Sequence, residues 1–222
     1  MSRRVAFTYG REDPNWVLKV VPYLEALQSV GLEPVLCLPG SQVDLKNFAG
    51  LVLGGGADIC PSRYGQLPAP ETEPPEVERD AMEFDLLSQA TAQGLPHLAI
   101  CRGLQFFNIF HGGTLHQHIG DAHRQRGVAD AHAVTVALAS KLGQIAGALA
   151  FTVNSRHHQA VDAVAPSLMV SARAADGTVD GTVEGLELPG HPFAVAVQWH
   201  PEDRARTHLP DQRLFTAFAR AC

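Results

Sequence analysis

Cys101, His200 and Glu202 are the residues of this chain whose types and settings could perform covalent chemistry together. Cys101 ends an apolar run, Leu98-Ala99-Ile100, and is followed by Arg102-Gly103 and a helical pattern of apolar residues. This spacing predicts a buried strand turning sharply into a helix with the thiol at the corner, where α/β folds place their sites. The positive end of a helix favours the thiolate, the nucleophilic form. A nucleophilic thiol needs a base, and the base needs an orienting partner. His200 follows the apolar stretch from Phe193 to Trp199 and precedes Pro201-Glu202, so an imidazole and a carboxylate share one constrained turn. Read singly, Cys101 is also compatible with a core cysteine and His200 with a surface histidine; together they point to a nucleophile and its base.

Two further stretches could serve such a centre. Gly54-Gly55-Gly56 follows a strand-like run, and glycines there let backbone N–H groups approach a ligand, as an oxyanion hole requires. A tight turn remains an alternative; a phosphate loop is disfavoured, since no Gly-Lys-Ser/Thr follows and the GxGxxG spacing is absent. The polar cluster Asn154-Ser155-Arg156-His157-His158-Gln159 could hydrogen-bond a polar substrate. It could also hold a metal, alone or with His111, His116, His118 and His123, but these spacings make no recognised zinc set. No metal and no cofactor are expected.

The positioning elements read as follows. Arg4 to Tyr9 is a β-type run, and Asp13-Pro14 has the form of a cap before a helix carrying Trp16, Val17, Val20, Val21, Leu24 and Leu27 to Gly31. Pro22 inside that pattern predicts a kink or a late start. Strands are expected at Pro34 to Leu38, Gly50 to Leu53 and His97 to Ile100. Ala57 to Pro75 carries five prolines and reads as a loop. Helices follow at Glu76 to Gln93, facing inward with Val77, Ala81, Phe84, Leu87 and Ala90, and at Leu104 to Phe110. Short strands are then expected at Val134 to Leu138, Phe151 to Val153, Leu168 to Arg173, Thr182 to Leu188 and Phe193 to Trp199, punctuated by Asp176-Gly177 and Asp180-Gly181. Asp211 is read as the cap of a final helix, Gln212 to Ala221. The pattern predicts one α/β domain over residues 1–222, a parallel sheet with helices on both faces that gains antiparallel or mixed strands in its second half.

Composition narrows the function. The net charge of −6 and the lack of a basic patch argue against nucleic acid as a partner. The start lacks the apolar core of a signal peptide, and no stretch reaches the roughly 20 apolar residues of a membrane span. Cys37, Cys60, Cys101 and Cys222 form no CxxC pair and read as reduced thiols, so a cytoplasmic location without membrane partners is expected.

Several of these stretches together resemble one family. Ala99-Ile100-Cys101-Arg102-Gly103-Leu104-Gln105 is similar to the nucleophile elbow of class I glutamine amidotransferases, and Gln198-Trp199-His200-Pro201-Glu202 to their His-x-Glu segment. Leu53-Gly54-Gly55-Gly56-Ala57-Asp58 with Pro61 and Tyr64-Gly65, Arg79-Asp80, Val153-Asn154-Ser155, His157-His158-Gln159 and Val183-Glu184-Gly185 resemble the gamma-glutamyl-gamma-aminobutyrate hydrolase branch, peptidase C26-like. Ala99 departs from the glycine usual at that position, and Cys60 is an additional thiol near the glycine turn.

The resemblance implies a flavodoxin-like, three-layer class I glutamine amidotransferase fold and a Cys101–His200–Glu202 triad. It implies cleavage of a small gamma-glutamyl amine through a gamma-glutamyl thioester, in the setting of polyamine catabolism. It places the oxyanion hole at backbone N–H groups of Gly55 or Gly56 and of Arg102. Gln105, Asp58, Ser155, His157, His158 and Gln159 become candidates for holding the substrate. Two other readings stay open, a glutaminase subunit feeding ammonia to a separate synthase and a catalytically silent binding protein. Self-association into a homodimer is also left open.

Overall fold

Alternation along the first strand decides the layering. In β1 (Arg3–Thr8), Val5 and Phe7 join one apolar cluster while Ala6 joins another, and all three are fully buried. A strand buried on both faces belongs inside a sheet covered on both sides. In the computed structural model, which describes residues 3–11, 14–175 and 181–222, this is what forms. β1 pairs in parallel with β2 (Leu32–Cys37) and β3 (Gly50–Leu53). β3 pairs in parallel with β4 (His97–Ile100), and β4 with β11 (Ala194–Val197). Beyond β11 the sheet continues antiparallel through β10 (Val183–Glu187), β9 (Met169–Ala174), β6 (His132–Val136) and β7 (Ala150–Val153). A separate two-stranded ribbon joins β5 (Leu115–His116) to β8 (Ala160–Val161).

Helices α1 (Trp16–Ser29), α4 (Lys141–Ala146) and α5 (Leu209–Ala221) cover the Val5/Phe7 face through Val20, Leu27, Leu142, Phe215 and Phe218. Helices α2 (Val77–Gln93) and α3 (Arg102–Phe110) cover the other through Leu86, Leu87, Leu104 and Phe107. The result is the α/β three-layer architecture with a mostly parallel central sheet in its first half. The chain runs outward from β1 in both directions, to β2 on one side and β3 on the other, which opens a crevice at the carboxyl ends of the strands.

Several expectations are corrected. α1 begins at Trp16, six residues ahead of Pro22, so the proline does not delay the helix. Its buried stripe is Val20, Tyr23, Ala26 and Leu27, whereas Val17 and Val21 face solvent. The inward face of α2 carries Arg79, Asp80, Met82, Glu83, Leu86, Leu87 and Ala90; Val77 and Phe84 are exposed. That face carries charge because Arg79, Asp80 and Glu83 are paired there, Arg79 with Glu83 and both acids with Arg102. Asp211 lies inside α5, where it accepts from Trp199 Nε1 at 3.0 Å, and His208 holds the capping position. The Ala57–Pro75 stretch is anchored by Ile59, by a 3-10 turn over Pro61–Tyr64 and by buried Asp58. Asp13, Asp176-Gly177 and Asp180 lie outside the described residues. No described helix is long and apolar enough to cross a membrane.

Candidate active site

Three neighbouring strands deliver the reactive groups to one edge. β3 runs into Gly54-Gly55-Gly56, β4 ends at Cys101, and β11 leads to His200. Cys101 has φ 56° and ψ −106°, and it is the one non-glycine residue with positive φ among those described. Such a backbone costs about 1–3 kcal/mol and persists only where its surroundings enforce it. They do so here. The Cys101 N–H donates to the Val197 carbonyl at 2.8 Å. Gly103 then passes so near β3 that a Cβ would lie 2.5 Å from the Leu53 carbonyl oxygen. The Ala99 methyl is accommodated opposite another small residue, Ala196.

His200 is oriented from three sides. Its Nδ1 lies 2.6 Å from Glu202 Oε1. A carboxylate oxygen only accepts, so Nδ1 carries hydrogen and Nε2 is left for proton exchange. Asn154 clamps the backbone, donating from Nδ2 to the His200 carbonyl at 3.0 Å and accepting the His200 N–H at 2.8 Å. The Tyr23 hydroxyl stands 3.3 Å from Nδ1. Burial works to lower the His200 pKa, but the charges of Cys101 and Glu202 outweigh it and raise it to about 10. Burial and the Glu202 charge push the Tyr23 phenol well above its ordinary value, so it stays neutral.

Beneath the glycine turn lies a buried charged network. Arg79 donates from Nη2 to the Gly54 carbonyl at 2.9 Å, from Nη1 to the Gly55 carbonyl at 3.0 Å, and from Nε to Glu83 at 2.8 Å. The Arg102 guanidinium pairs with Glu83 and Asp80. Thr8 donates to Glu83 at 2.6 Å, and Asp80 accepts the Cys60 N–H at 3.0 Å. Burial alone would raise the Glu83 pKa, but the two arginines hold it below the usual carboxylate value. The network fixes the glycine turn by its carbonyls. A β-carbon on Gly55 would come within 3.0 Å of His200 Cε1 and 3.7 Å of Cys101 Cβ, so the turn meets both side chains directly.

The residues expected from sequence divide into two groups. Cys101, His200, Glu202, Gly55, Gly56 and the start of α3 at Arg102 are brought together. The Gly55 N–H, however, donates to the Tyr23 hydroxyl at 3.1 Å, so it is occupied and does not face an empty oxyanion position. Asp58 pairs with His158 at 3.0 Å and accepts the Glu73 N–H at 2.8 Å, and His158 in turn lies 3.3 Å from His118. Gln105 donates to the Gln159 carbonyl at 3.0 Å, and Gln159 donates to the Gln117 carbonyl at 3.2 Å. Ser155 and His157 bond inward. Ser155 is fully buried and donates to the His123 carbonyl at 2.6 Å; His157 donates from Nδ1 to the Gln159 carbonyl at 2.9 Å with Nε2 directed to Glu184. Burial works to raise the Glu184 pKa, but the proximity of His132 and His157 holds it at about 2.

Two residues were missed. Tyr23 links Gly55 to His200, and its spacing of three from Val20 marked it as facing inward. Arg156, in the polar cluster, stands 3.4 Å from Glu202 and 3.0 Å from Asp203. Cys60 is a free thiol lying 3.2 Å from the Ser62 hydroxyl.

Comparison with known proteins gives this geometry a context. Residues 13–202 match the family model of peptidase C26. The chain is 43% identical over 212 residues to the Mycobacterium tuberculosis protein named "Putative glutamine amidotransferase Rv2859c", covering 90% of this chain and 66% of that one. It is 31% identical over 222 residues to the gamma-glutamyl-gamma-aminobutyrate hydrolase PuuD of Escherichia coli K12, covering 90% and 84% of the two chains. The crystal structure of a Thermotoga maritima glutamine amidotransferase superposes with a TM-score of 0.64 over 98% of this chain and 83% of that one, at 16% identity. That likeness establishes the class I glutamine amidotransferase fold.

Proposed function

Because the chain belongs to the peptidase C26 family, we propose that it is a cysteine-dependent hydrolase of the gamma-glutamyl amide bond in a small gamma-glutamyl amine. The observation that carries the reading is the strained Cys101 corner set against His200, whose proton-bearing Nδ1 lies 2.6 Å from Glu202. Relatives named as gamma-glutamyl-gamma-aminobutyrate hydrolases, at 31–32% identity, support the substrate class.

In this reading the Cys101 sulfur attacks the gamma-carbonyl carbon and His200, holding the proton, donates it to the departing amine. The gamma-glutamyl thioester remains. His200 then takes a proton from water as the water attacks, and the Cys101 thiolate leaves with glutamate released. Glu202 holds the imidazole and offsets its positive charge. The oxyanion is received by the N–H groups of Gly56 and Arg102. The described peptide bonds include no cis forms, and a trans peptide sets its N–H opposite its carbonyl. With the Gly55 carbonyl fixed on Arg79, the Gly56 N–H therefore points away from the buried guanidinium. The Arg102 N–H opens α3 and has no partner within the helix. Asp58, His158, Gln105 and Gln159 line the substrate side, and residues 1–222 act as one catalytic unit without a cofactor.

The test is release of free glutamate by the purified protein from a panel of gamma-glutamyl amines and glutamine, with Cys101→Ala as control. Release from a gamma-glutamyl amine, lost in the control, is expected. Activity on glutamine alone, appearing only with a second protein, would replace this reading with that of a glutaminase subunit, the reading favoured by the name of the M. tuberculosis relative.

A further inference from the structure

A second polar cluster is buried behind the segment that holds His200. His132 opens β6, Glu184 lies in β10, His157 follows β7, and His123 lies in the stretch between β5 and β6. Their relative exposures are 5%, 0%, 4% and 1%. One side-chain donor atom from each of His123, His132 and Glu184 lies within 4.8 Å of the others. His132 Nε2 is 3.3 Å from Glu184 Oε1, and His157 Nε2 is 3.6 Å from the same oxygen. The His123 ring centroid is 4.7 Å from that of His157 and 5.2 Å from that of His132.

These contacts do not close as hydrogen bonds. His132 Nε2, His157 Nε2 and both Glu184 oxygens have no hydrogen-bond partner among the described residues. The His157 tautomer explains why. Its Nδ1 lies 2.9 Å from the Gln159 carbonyl oxygen, which can only accept, so Nδ1 bears the hydrogen. Its Nε2 then faces the Glu184 carboxylate at 3.6 Å, a polar gap of a size that a bound cation would bridge. A histidine whose second nitrogen donates to a carbonyl is also the usual arrangement of a metal ligand.

We propose that His123, His132 and Glu184, with His157 beside them, form a buried, structural site for one divalent transition-metal cation of the zinc type. Two imidazoles and one carboxylate, with a third imidazole beside them, suit Zn²⁺ and its neighbours rather than Mg²⁺ or Ca²⁺, which take oxygen ligands. With bonds of about 2.0–2.1 Å, tetrahedral geometry separates ligand atoms by about 3.3–3.4 Å, close to the His132–Glu184 spacing of 3.3 Å. The three ligands are all buried behind the segment that holds His200, so the ion is a structural brace. It ties β6 and β10 to the segment in which Asn154 grips the His200 backbone and Ser155 bonds the His123 carbonyl.

The experiment counts metal and does not depend on the gamma-glutamyl reading. It uses the full chain carrying Cys101→Ala, so that the active-site thiol cannot be a ligand. The protein is stripped with chelator, incubated with Zn²⁺, desalted and assayed by mass spectrometry of the metal. About one Zn²⁺ per chain is expected, with a higher Tm than the stripped protein. His132→Gln and Glu184→Gln are each expected to lower retained zinc at least about tenfold. X-ray absorption on the zinc-loaded chain with its ligands intact covers the case in which these variants fail to fold; a shell of imidazole and oxygen is expected. Absence of stoichiometric retention of Zn²⁺, Co²⁺, Ni²⁺, Mn²⁺ or Fe²⁺ by the folded protein would overturn the site. So would full retention in folded Glu184→Gln, or a shell without imidazole.

Discussion

The Cys101 side and the His200 side of the crevice at the carboxyl ends of the strands are both backed by buried polar clusters, and the two clusters are built differently. On the Cys101 side, Arg79 and Arg102 stand against Glu83 and Asp80, and the remaining valences go to Thr8, the Cys60 N–H and the carbonyls of Gly54 and Gly55. Only Arg102 Nε in that group lacks a hydrogen-bond partner. On the His200 side, Asn154 clamps the backbone, but behind it His132 Nε2, His157 Nε2 and both Glu184 oxygens face one another without a hydrogen-bond partner among the described residues. A buried charge is tolerated when it is paired. One cluster meets that condition with hydrogen bonds of its own; the other brings its polar atoms close without closing them.

Breaking the self-sufficient side has the largest expected effect. Arg79→Met removes the guanidinium that holds both glycine carbonyls and part of the Glu83 charge balance. A loss of about 3–5 kcal/mol is expected, which a thermal melt reads as a fall of roughly 6–20 °C. Hydrolysis should fall with it as the turn relaxes. An unchanged melting temperature would show that the turn holds itself.

Glu202→Gln tests the other side through chemistry rather than stability. A fall in kcat of about 10²–10⁴-fold is expected, because the imidazole loses the carboxylate that orients it and offsets its charge. The pH profile carries a second signature. The His200 pKa is raised to about 10, so the proton needed for the leaving amine is retained well above neutrality and activity declines only as pH rises through about 10. The sign for stability is the same: the contribution is complete below the unfolded histidine value of about 6.5 and is lost through the folded one. Glu202→Gln should move the alkaline limb downward; a limb that stays in place would remove Glu202 from the triad.

Tyr23→Phe addresses the group that joins the two sides. Its hydroxyl accepts from the Gly55 N–H and lies beside His200 Nδ1, so its loss strands a buried donor at a cost of about 1–3 kcal/mol. A drop of roughly tenfold in kcat/KM with little change in secondary structure is expected. Unchanged kinetics would confine Tyr23 to packing against Phe7, 5.0 Å away between ring centroids.

The sequence announces one side far better than the other. β3 and β4 were bounded to the residue, because short apolar runs ended by Gly54 and Cys101 admit no other register. The groups of the triad were visible for the same reason, each following a buried strand. The charged face of α2 was hidden because hydrophobic periodicity counts Val77 and Phe84 as inward, while Arg79, Asp80 and Glu83 take the buried positions by pairing with one another and with Arg102. The ribbon of β5 and β8 has two residues per strand, too few to show alternation, and α4 has only six. His123, His132, His157 and Glu184 converge only after the antiparallel strands have paired, so no local spacing reveals them. Ser155 and His157 looked like substrate groups because polarity alone does not tell an inward-bonded side chain from one lining a cleft.

The central claim is that Cys101 forms a covalent gamma-glutamyl intermediate. Rapid acid quench of the protein with saturating gamma-glutamyl-gamma-aminobutyrate, followed by intact-mass and peptide mass spectrometry, reads it directly. The account predicts one gamma-glutamyl acyl group per chain, carried on the peptide containing Cys101 and absent in Cys101→Ala. An acyl group on another residue, or turnover that persists in Cys101→Ala, would contradict it.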